Sequence, residues 1–249
     1  MRYKRTNERK RKEKTTKTTI FLDTNILRAI FISYVNGEDW RSKFQLPTSF
    51  RLVTAQKCLL EMYGILKTGV LTQELACYGC TYSSSKRDDS LLKRVLEGNE
   101  VHDIFWHSHV LEAAVTLKEE TANDDEHTRK LRQLARWRSC YEHVRSDFDN
   151  FLDGEKIEYV LYSMLFTHHE WQAKLEDLAV ETLIPGEDIE IVLAAWHLGA
   201  DIFLTEDKRL IRFSFSLPLE PNIPAFCSLA NFEQTLTEKQ ADFRTYPEA

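Results

Sequence analysis

Short apolar runs alternate with helical patterns near both ends of the chain, and this alternation constrains the fold more than any other feature. Thr19–Leu22 and Leu52–Val53 each precede an amphipathic helical pattern, and Ile202–Leu204 follows one. The buried strands of a parallel sheet are short continuous apolar runs, because helices cover both faces of such a sheet. The sequence therefore predicts an α/β protein with a central parallel sheet flanked by helices.

Helix start and stop signals set the boundaries of these units. Asn25 is predicted to cap a helix that ends at Asn36-Gly37, and Thr54 is predicted to cap a helix that ends at Gly69. Further elements are predicted in the C-terminal part, namely a turn at Pro185-Gly186, helices over 187–198 and 208–213, and a strand over 225–227.

The segment over 73–179 has a different, mostly helical pattern. Helices are predicted near 90–97 and over 101–121, 125–152 and 155–168. The third carries large apolar residues at alternating spacings of three and four, a pattern typical of a helix that packs against another; these are Leu134, Trp137, Tyr141, Val144, Phe148 and Phe151. We therefore predict a disordered basic tail over 1–18, an α/β domain over 19–72 and 180–249, and a helical insertion over 73–179.

Charge and composition exclude several classes of protein. The longest apolar run, Ile191 to Trp196, is too short for a membrane span, and no apolar segment follows the basic N-terminus as it does in a secretory signal. Five irregularly spaced cysteines do not form a disulfide framework, so we expect a cytoplasmic protein. Residues 1–19 hold nine Lys or Arg and two Glu, a charge of +7, which leaves −13 on the remainder of a chain whose net charge is −6. Such an acidic body disfavours a partner that is itself a polyanion, and it does so less if some of its carboxylates converge to hold divalent cations, which reverse the local field.

Four acidic residues occupy positions where a carboxylate is useful for binding a cation. Asp23 directly follows the first strand, and Asp207 lies just beyond the end of a later strand. Ligands of open α/β sheets bind outside the carboxyl ends of the strands. Glu61 lies beside the apolar stripe of its helix, and Asp188 lies in the first turn of another helix. Each acid alone has a simple structural explanation, such as a turn or a helix cap, but together they predict one shared pocket.

Two motifs surround these acids. The first is Phe21-Leu22-Asp23-Thr24-Asn25, and the second consists of Asp188, Ile191, Ala194, Ala195, Gly199, Leu204, Thr205 and Asp207. Together they resemble the PIN-domain nucleases, the superfamily of the VapC-like toxin ribonucleases, and Glu61 matches the acid on that family's second core helix. The resemblance covers residues 19–72 and 180–232. The segment between Glu61 and Asp188 is longer than in small members of the family, which makes the helical insertion an enlarged one.

The resemblance implies a PIN-like α/β/α fold and a metal-dependent ribonuclease whose products carry a 5′-phosphate and a 3′-hydroxyl. It implies that Asp23, Glu61, Asp188 and Asp207 form the catalytic site and bind one or two Mg²⁺ or Mn²⁺ ions, and that Asn25 and Thr205 orient the carboxylates or a water molecule. Hard oxygen ligands suit these cations, and a bound ion lowers the pKa of a water molecule. The expected role is the toxin of a toxin–antitoxin or defence system, with RNA as substrate and a protein antitoxin, an inhibitor or a second copy of the chain as partner.

Several alternatives stay open. A structure-specific DNA nuclease is one, and a catalytically silent PIN-like module that binds RNA or proteins is another. The basic tail is an arm that binds phosphates or an acidic partner in one interpretation and a solubilising end in the other. Arg129, Arg132 and Arg136 share a helix face that contacts phosphates in one interpretation and faces solvent in the other. A structural zinc site is the alternative to an ordinary loop and helix face for the set Cys77, Cys80, His102, His107 and His109.

Overall fold

Five short strands form one parallel sheet in the computed structural model, which describes residues 17–78, 125–161, 163, 169–218 and 223–245. The strands are β1 (Thr19–Leu22), β2 (Arg51–Ala55), β3 (Glu158–Val160), β4 (Ile202–Leu204) and β5 (Ala225–Cys227). All neighbouring pairs are parallel, in the order β3-β2-β1-β4-β5. The protein is therefore α/β, as the alternation of apolar runs and helical patterns predicts.

Helices separate these strands along the chain. Those that the structure describes are α1 (Thr24–Val35), α2 (Trp40–Lys43), α3 (Gln56–Tyr78), α4 (Glu126–Glu155), α5 (His169–Glu181), α6 (Gly186–His197), α7 (Lys208–Phe213) and α8 (Phe232–Thr245). None of these described helices combines the length and the apolar character that a membrane span requires. The helices predicted near 90–97 and over 101–121 lie outside the described residues.

The chain divides into two compact units. The first draws its residues from Met1–Ile26, Asp39–Gln56 and Ile157–Ala249, and the second from Leu27–Glu38 and Lys57–Lys156. The whole sheet belongs to the first unit. Strand β3 and helix α5 are also part of this unit, although β3 and all but the last two residues of α5 fall within the segment that the sequence pattern assigns to a helical insertion.

The order of the strands reverses beside β1. Strands β2 and β3 lie on one side of β1, and β4 and β5 lie on the other. Leu22 is in register with Leu204, so that β1 and β4 end side by side. Ligands of open α/β sheets bind outside the carboxyl ends of the strands at the point where the order reverses. The fold therefore places the residues that follow Leu22 and Leu204 at the expected binding edge.

An aromatic stack crosses three neighbouring strands of the first unit. Phe21, Phe203 and Phe226 occupy matching register positions of β1, β4 and β5. The ring centroids of Phe21 and Phe203 are 4.7 Å apart, and those of Phe203 and Phe226 are 4.5 Å apart. A slip of one residue would turn each ring to the opposite face of the sheet. The stack therefore helps to hold β1 and β4 in the register that aligns their carboxyl ends.

Aromatic side chains also form the centre of the second unit. Phe148 and Phe151 of α4 pack on Phe31 of α1, with ring centroids 5.0 and 5.5 Å apart. Tyr63 of α3 lies edge-on to Phe148, and its hydroxyl donates to Asp149 at 2.5 Å. Burial and this hydrogen bond raise the pKa of Tyr63 to about 12, so that it stays a neutral donor. The predicted packing seam of α4 is thus confirmed at its C-terminal half.

The segment directly after α4 is a strand, and the prediction of a helix beginning at Glu155 is wrong there. Lys156 ends α4 in the left-handed region, with φ of 56°. Glu158 then pairs with Val53 of β2, and its carboxylate accepts hydrogen bonds from the Arg51 guanidinium. Glu158 and Tyr159 are exposed at the edge of the sheet. Such a strand lacks the apolar run by which buried strands are recognised, which explains the error.

Two predicted helix boundaries also differ from the structure. Helix α3 continues through Gly69 to Tyr78, and Thr54 lies within β2, where its hydroxyl donates to the Leu22 carbonyl at 2.8 Å. Thr54 therefore joins two strands instead of capping a helix. By contrast, Gly37 and Gly199 follow the ends of α1 and α6 as predicted. Their φ angles of 70° and 65° lie in the left-handed region, which glycine adopts without steric cost.

Replacing Phe203 by Ala removes the middle ring of the stack, and we expect the free energy of unfolding to fall by about 3–5 kcal/mol. Phe215→Ala is the matched control, because the Phe215 ring is 75% exposed. Its loss should change the free energy by less than about 0.5 kcal/mol. Urea unfolding followed by circular dichroism measures both, and equal effects would contradict a buried stack that contributes to stability.

Candidate functional site at the carboxyl ends of β1 and β4

Asp23 is the first residue after β1, and its carboxylate is surrounded by donors. The residue is only 6% exposed. Its backbone N–H donates to the Leu204 carbonyl at 3.1 Å, which continues the pairing of β1 with β4. Oδ1 accepts from the backbone N–H of Thr24 at 2.7 Å, and Oδ2 accepts from Asn25 Nδ2 at 2.9 Å and from the Thr205 hydroxyl. These donors offset the cost of burying a charge.

Thr205 follows β4 and connects the two strand ends through one oxygen atom. Its side chain is fully buried. The hydroxyl donates to Asp23 Oδ2 and accepts from Asn25 Nδ2 at 3.1 Å and from the backbone N–H of Asp207 at 3.0 Å. A hydroxyl offers one donor and two acceptor positions, and here all three are used. The loop after β4 is therefore held against the end of β1 by a saturated side chain.

Asn25 bridges the same two loops from the other side. Its amide nitrogen donates to Asp23 and Thr205, and its Oδ1 accepts from the backbone N–H of Glu206 at 3.0 Å. The prediction that Asn25 caps α1 is wrong, because the helix begins one residue earlier, at Thr24. The amide group instead joins the start of α1 to the residues that follow β4.

Asp207 precedes α7 and caps it. Its Oδ1 accepts from the backbone N–H groups of Arg209 at 2.7 Å and Leu210 at 3.3 Å. Its Oδ2 lies 3.7 Å from Nη2 of Arg209. The carboxylate is thus engaged on both oxygen atoms, one in the helix cap and the other in an ion pair. The side chain is 30% exposed, so water reaches the ion pair.

Asp188 lies in the first turn of α6 and is partly buried, with Oδ2 shielded from solvent. Its neighbour Glu187 approaches the guanidinium of Arg209, with Oε1 to Nη2 at 3.5 Å. The same Nη2 atom is the one that faces Asp207. Arg209 therefore links the first turn of α6 to the loop after β4.

Three residues of this region escaped the sequence analysis, namely Glu187, Glu206 and Arg209. The Glu206 carboxylate accepts from the backbone N–H of Leu229 at 2.9 Å, which ties the loop after β4 to the turn after β5. Glu206 stands between two motif residues, and Glu187 stands beside a third. Adjacency to the motifs is the only signal that could have singled them out, since their partners lie far away along the sequence.

The other predicted site residues are not among these strand-end contacts. Glu61 is exposed on α3 in the second unit, and its role as a ligand stays a prediction. Arg132 is exposed on α4, and the side chains of Arg129 and Arg136 on the same helix lie outside the described part. The residues of the zinc alternative also lie outside the described part, namely Cys77, Cys80, His102, His107 and His109. Of these, only the backbone of Cys77 is described.

The donors of this region match a hard divalent cation in type, because they are carboxylate oxygens of Asp23, Asp188 and Asp207. Within the described ranges, no group of three or more His, Cys, Asp or Glu side chains is close enough to hold a metal ion. The engagement of Asp207 in the cap and with Arg209 is one physical reason.

No protein-family model, no curated protein and no solved structure matches the chain.

Thr205→Val removes the hydroxyl that joins Asp23, Asn25 and Asp207 while keeping the size of the side chain. We expect the free energy of unfolding to fall by about 1–3 kcal/mol, because a buried carboxylate and a backbone N–H each lose a partner. Thr205→Ser keeps the hydroxyl and should retain most of that stability. Urea unfolding of the three proteins measures the difference, and a serine variant no more stable than the valine variant would contradict the role of the hydroxyl.

Proposed function

We propose that the protein is a metal-dependent nuclease of the PIN type that hydrolyses RNA phosphodiester bonds. One observation carries the proposal: Asp23 and Thr205 are hydrogen-bonded to each other where the strand order reverses, and Asp207 is bonded to the same hydroxyl. An α/β sheet binds its ligands at this point. Of the motif residues that resemble the PIN family, Asp23, Asn25, Thr205 and Asp207 are hydrogen-bonded to one another there.

The acids of the site would hold a Mg²⁺ or Mn²⁺ ion. Asp23, Asp188 and Asp207 are the candidate ligands in the first unit, and Glu61 joins them on the sequence resemblance alone. When bound, the ion would supply a water molecule of lowered pKa and neutralise charge on the phosphodiester. Thr205 and Asn25 hold the Asp23 carboxylate in one orientation, since together they donate two hydrogen bonds to its Oδ2.

Charge supports a nucleic-acid substrate. The seven net positive charges of residues 1–19 would attract phosphates and release counterions if the tail binds them. Divalent cations at the carboxylates would reverse the local field of an otherwise acidic chain. RNA is the proposed substrate by family resemblance, and a role as the toxin of a toxin–antitoxin or defence system, with a protein antitoxin or inhibitor, rests on the same resemblance.

A catalytically silent PIN-like module that binds RNA or proteins is the second candidate. The observation in its favour is the engagement of both Asp207 oxygen atoms in the cap and the ion pair with Arg209. Among the described residues, no group of three or more His, Cys, Asp or Glu side chains is placed to hold a metal ion, which agrees with this alternative. Metal-dependent cleavage is the property that separates the two candidates.

Asp23→Asn should lower RNA cleavage on the order of 100-fold, because it removes a charged ligand from the site. Asp207→Asn should do the same with the helix cap intact, since Asn is as good a cap as Asp. The assay uses total RNA and single-stranded DNA with Mg²⁺, with Mn²⁺ and with chelator. Thermal melting establishes that each variant is folded.

Asp201→Asn is the matched control for this assay. Asp201 lies at the amino end of β4, where its carboxylate accepts from the backbone N–H of Thr19 at 2.7 Å. The same chemical change is thereby made at the amino ends of β1 and β4, away from the candidate site at their carboxyl ends. We therefore expect cleavage to persist in this variant. Metal-dependent cleavage of DNA instead of RNA would favour the DNA nuclease, and RNA binding without cleavage by the wild type would favour the silent module.

A further inference from the structure

Helix α7 begins directly after Asp207 and carries three cations beside the candidate site. Its six residues include Lys208, Arg209 and Arg212, and none of the six is acidic. In an ideal helix these three positions span about 100° of the circumference, on the side away from Leu210. All three side chains are exposed, whereas Leu210 is buried. The helix therefore packs through its apolar side and turns a basic face to solvent.

Two of these cations have no carboxylate partner among the described residues. Arg209 approaches two carboxylates, whereas no ion pair in the described ranges involves Lys208 or Arg212. The Arg212 guanidinium instead lies over the Phe213 ring, with the centroid 5.8 Å away. A guanidinium that stacks on a ring keeps its N–H donors in its own plane, where they can bind a phosphate. The basic face is therefore complementary to a polyanion.

Phe215 places an aromatic ring in solvent just beyond α7. The ring is 75% exposed, more than any other aromatic side chain that the structure describes. Hydrogen bonds hold the backbone next to it: the Ser216 hydroxyl donates to the Phe213 carbonyl at 2.7 Å and accepts from the backbone N–H of Leu183 at 2.9 Å. Because the turn is already fixed, little backbone entropy is lost when a ligand stacks on the ring.

The ring and the cations lie along one side of this segment. A 3₁₀ turn over Ser214–Ser216 continues α7, and residues three apart are eclipsed in such a turn. Positions 208, 212 and 215 are spaced by four and by three, which makes each the neighbour of the next on one face. Phe215 thus follows Lys208 and Arg212 in a line that begins next to Asp207.

We propose that α7 and Phe215 form a surface that binds a single strand of nucleic acid and leads it to the candidate site. Proteins that bind single strands combine cations along the phosphate backbone with aromatic rings on which unpaired bases stack. Three cations without an acid favour a polyanion over a protein as the partner of this ring. The inference rests on the proposed function and deepens it, because it makes a single strand the substrate. No metal ion takes part in this binding.

Phe215→Ala should weaken the binding of single-stranded RNA about tenfold, because one base loses its stacking partner. The ring is uncharged, so the slope of log affinity against log salt should not change. Arg212→Gln removes one phosphate contact, and it should reduce the steepness of that slope by about 0.7. Duplex RNA has no unpaired base, so Phe215→Ala should leave the binding of a duplex unchanged.

Tyr159→Ala and Lys43→Gln are the matched controls. Tyr159 is 49% exposed on β3, at the edge of the sheet opposite β5. The Lys43 ammonium lies over the Phe44 ring, with the centroid 5.6 Å away, much as the Arg212 guanidinium lies over the ring beside it. Each control makes a change of the same kind as one of the test variants, but outside α7. We expect both to bind single-stranded RNA as the wild type does.

Fluorescence anisotropy measures the binding of each full chain to labelled RNA of about 12 nucleotides, either single-stranded or in a duplex, and to single-stranded DNA. A chelator is present throughout, so that no metal-dependent cleavage interferes. The basic tail is present in every variant, and differences between variants therefore report on α7. Thermal melting establishes that each variant is folded.

A loss of single-strand binding in Phe215→Ala, with duplex binding and both controls unchanged, supports the proposal; a loss confined to RNA or to DNA also identifies the sugar that the surface selects. Unchanged binding by Phe215→Ala, an equal loss on the duplex, or no binding by the wild type overturns it. Metal-dependent cleavage that is lost in Asp23→Asn would still support the proposed function in that case. Single-strand binding through Phe215 without cleavage by the wild type would keep this surface and assign it to the silent module.

Discussion

The hydrogen bond from the Thr205 hydroxyl to the Asp23 carboxylate is the contact on which the arrangement of the site depends. Both residues are buried, and an ionised carboxylate is costly to bury without donors. The backbone N–H of Thr24 and the amide of Asn25 complete its surroundings. Once Thr205 is held in this way, its oxygen also receives the backbone N–H of Asp207. The position of the loop after β4 thus depends on the hydrogen bonds that accompany the burial of the Asp23 carboxylate.

The same pair of strands carries an aspartate at each end, and the two have different surroundings. At the amino end, Asp201 accepts the backbone N–H of Thr19, and its own N–H donates to the Thr19 carbonyl. That exchange fixes where the two strands begin. At the carboxyl end, Asp23 accepts from two side chains as well as from the backbone. The topology of a parallel sheet makes the carboxyl end the edge where loops converge and ligands bind.

Asp207 combines a structural task with a proposed chemical one. A carboxylate has two oxygen atoms, so a helix cap on Oδ1 leaves Oδ2 for a cation. Arg209 faces Oδ2 from within the helix that Asp207 caps, and it also approaches Glu187. The guanidinium of Arg209 thus balances part of the negative charge of Glu187 and Asp207.

Local patterns were enough to predict part of the fold. The apolar runs of β1, β4 and β5 and the glycines after α1 and α6 identify elements without reference to distant residues. Strand β3 and the passage of α3 through Gly69 could not be predicted in this way. An exposed edge strand depends on its partner, here through the ion pair of Arg51 with Glu158. A glycine ends a helix only where the tertiary structure leaves the chain free to turn.

The sequence by itself determined the α/β class and the strand-end positions of Asp23, Thr205 and Asp207, because apolar runs and the polar residues that follow them are local features. Only the tertiary structure decided that β1 and β4 are neighbours and that Asn25 joins Asp23 to Glu206. It also decided that Arg209 faces both Glu187 and Asp207. Contacts between residues so far apart in the chain arise from strand order and register, which the packing of the whole sheet selects.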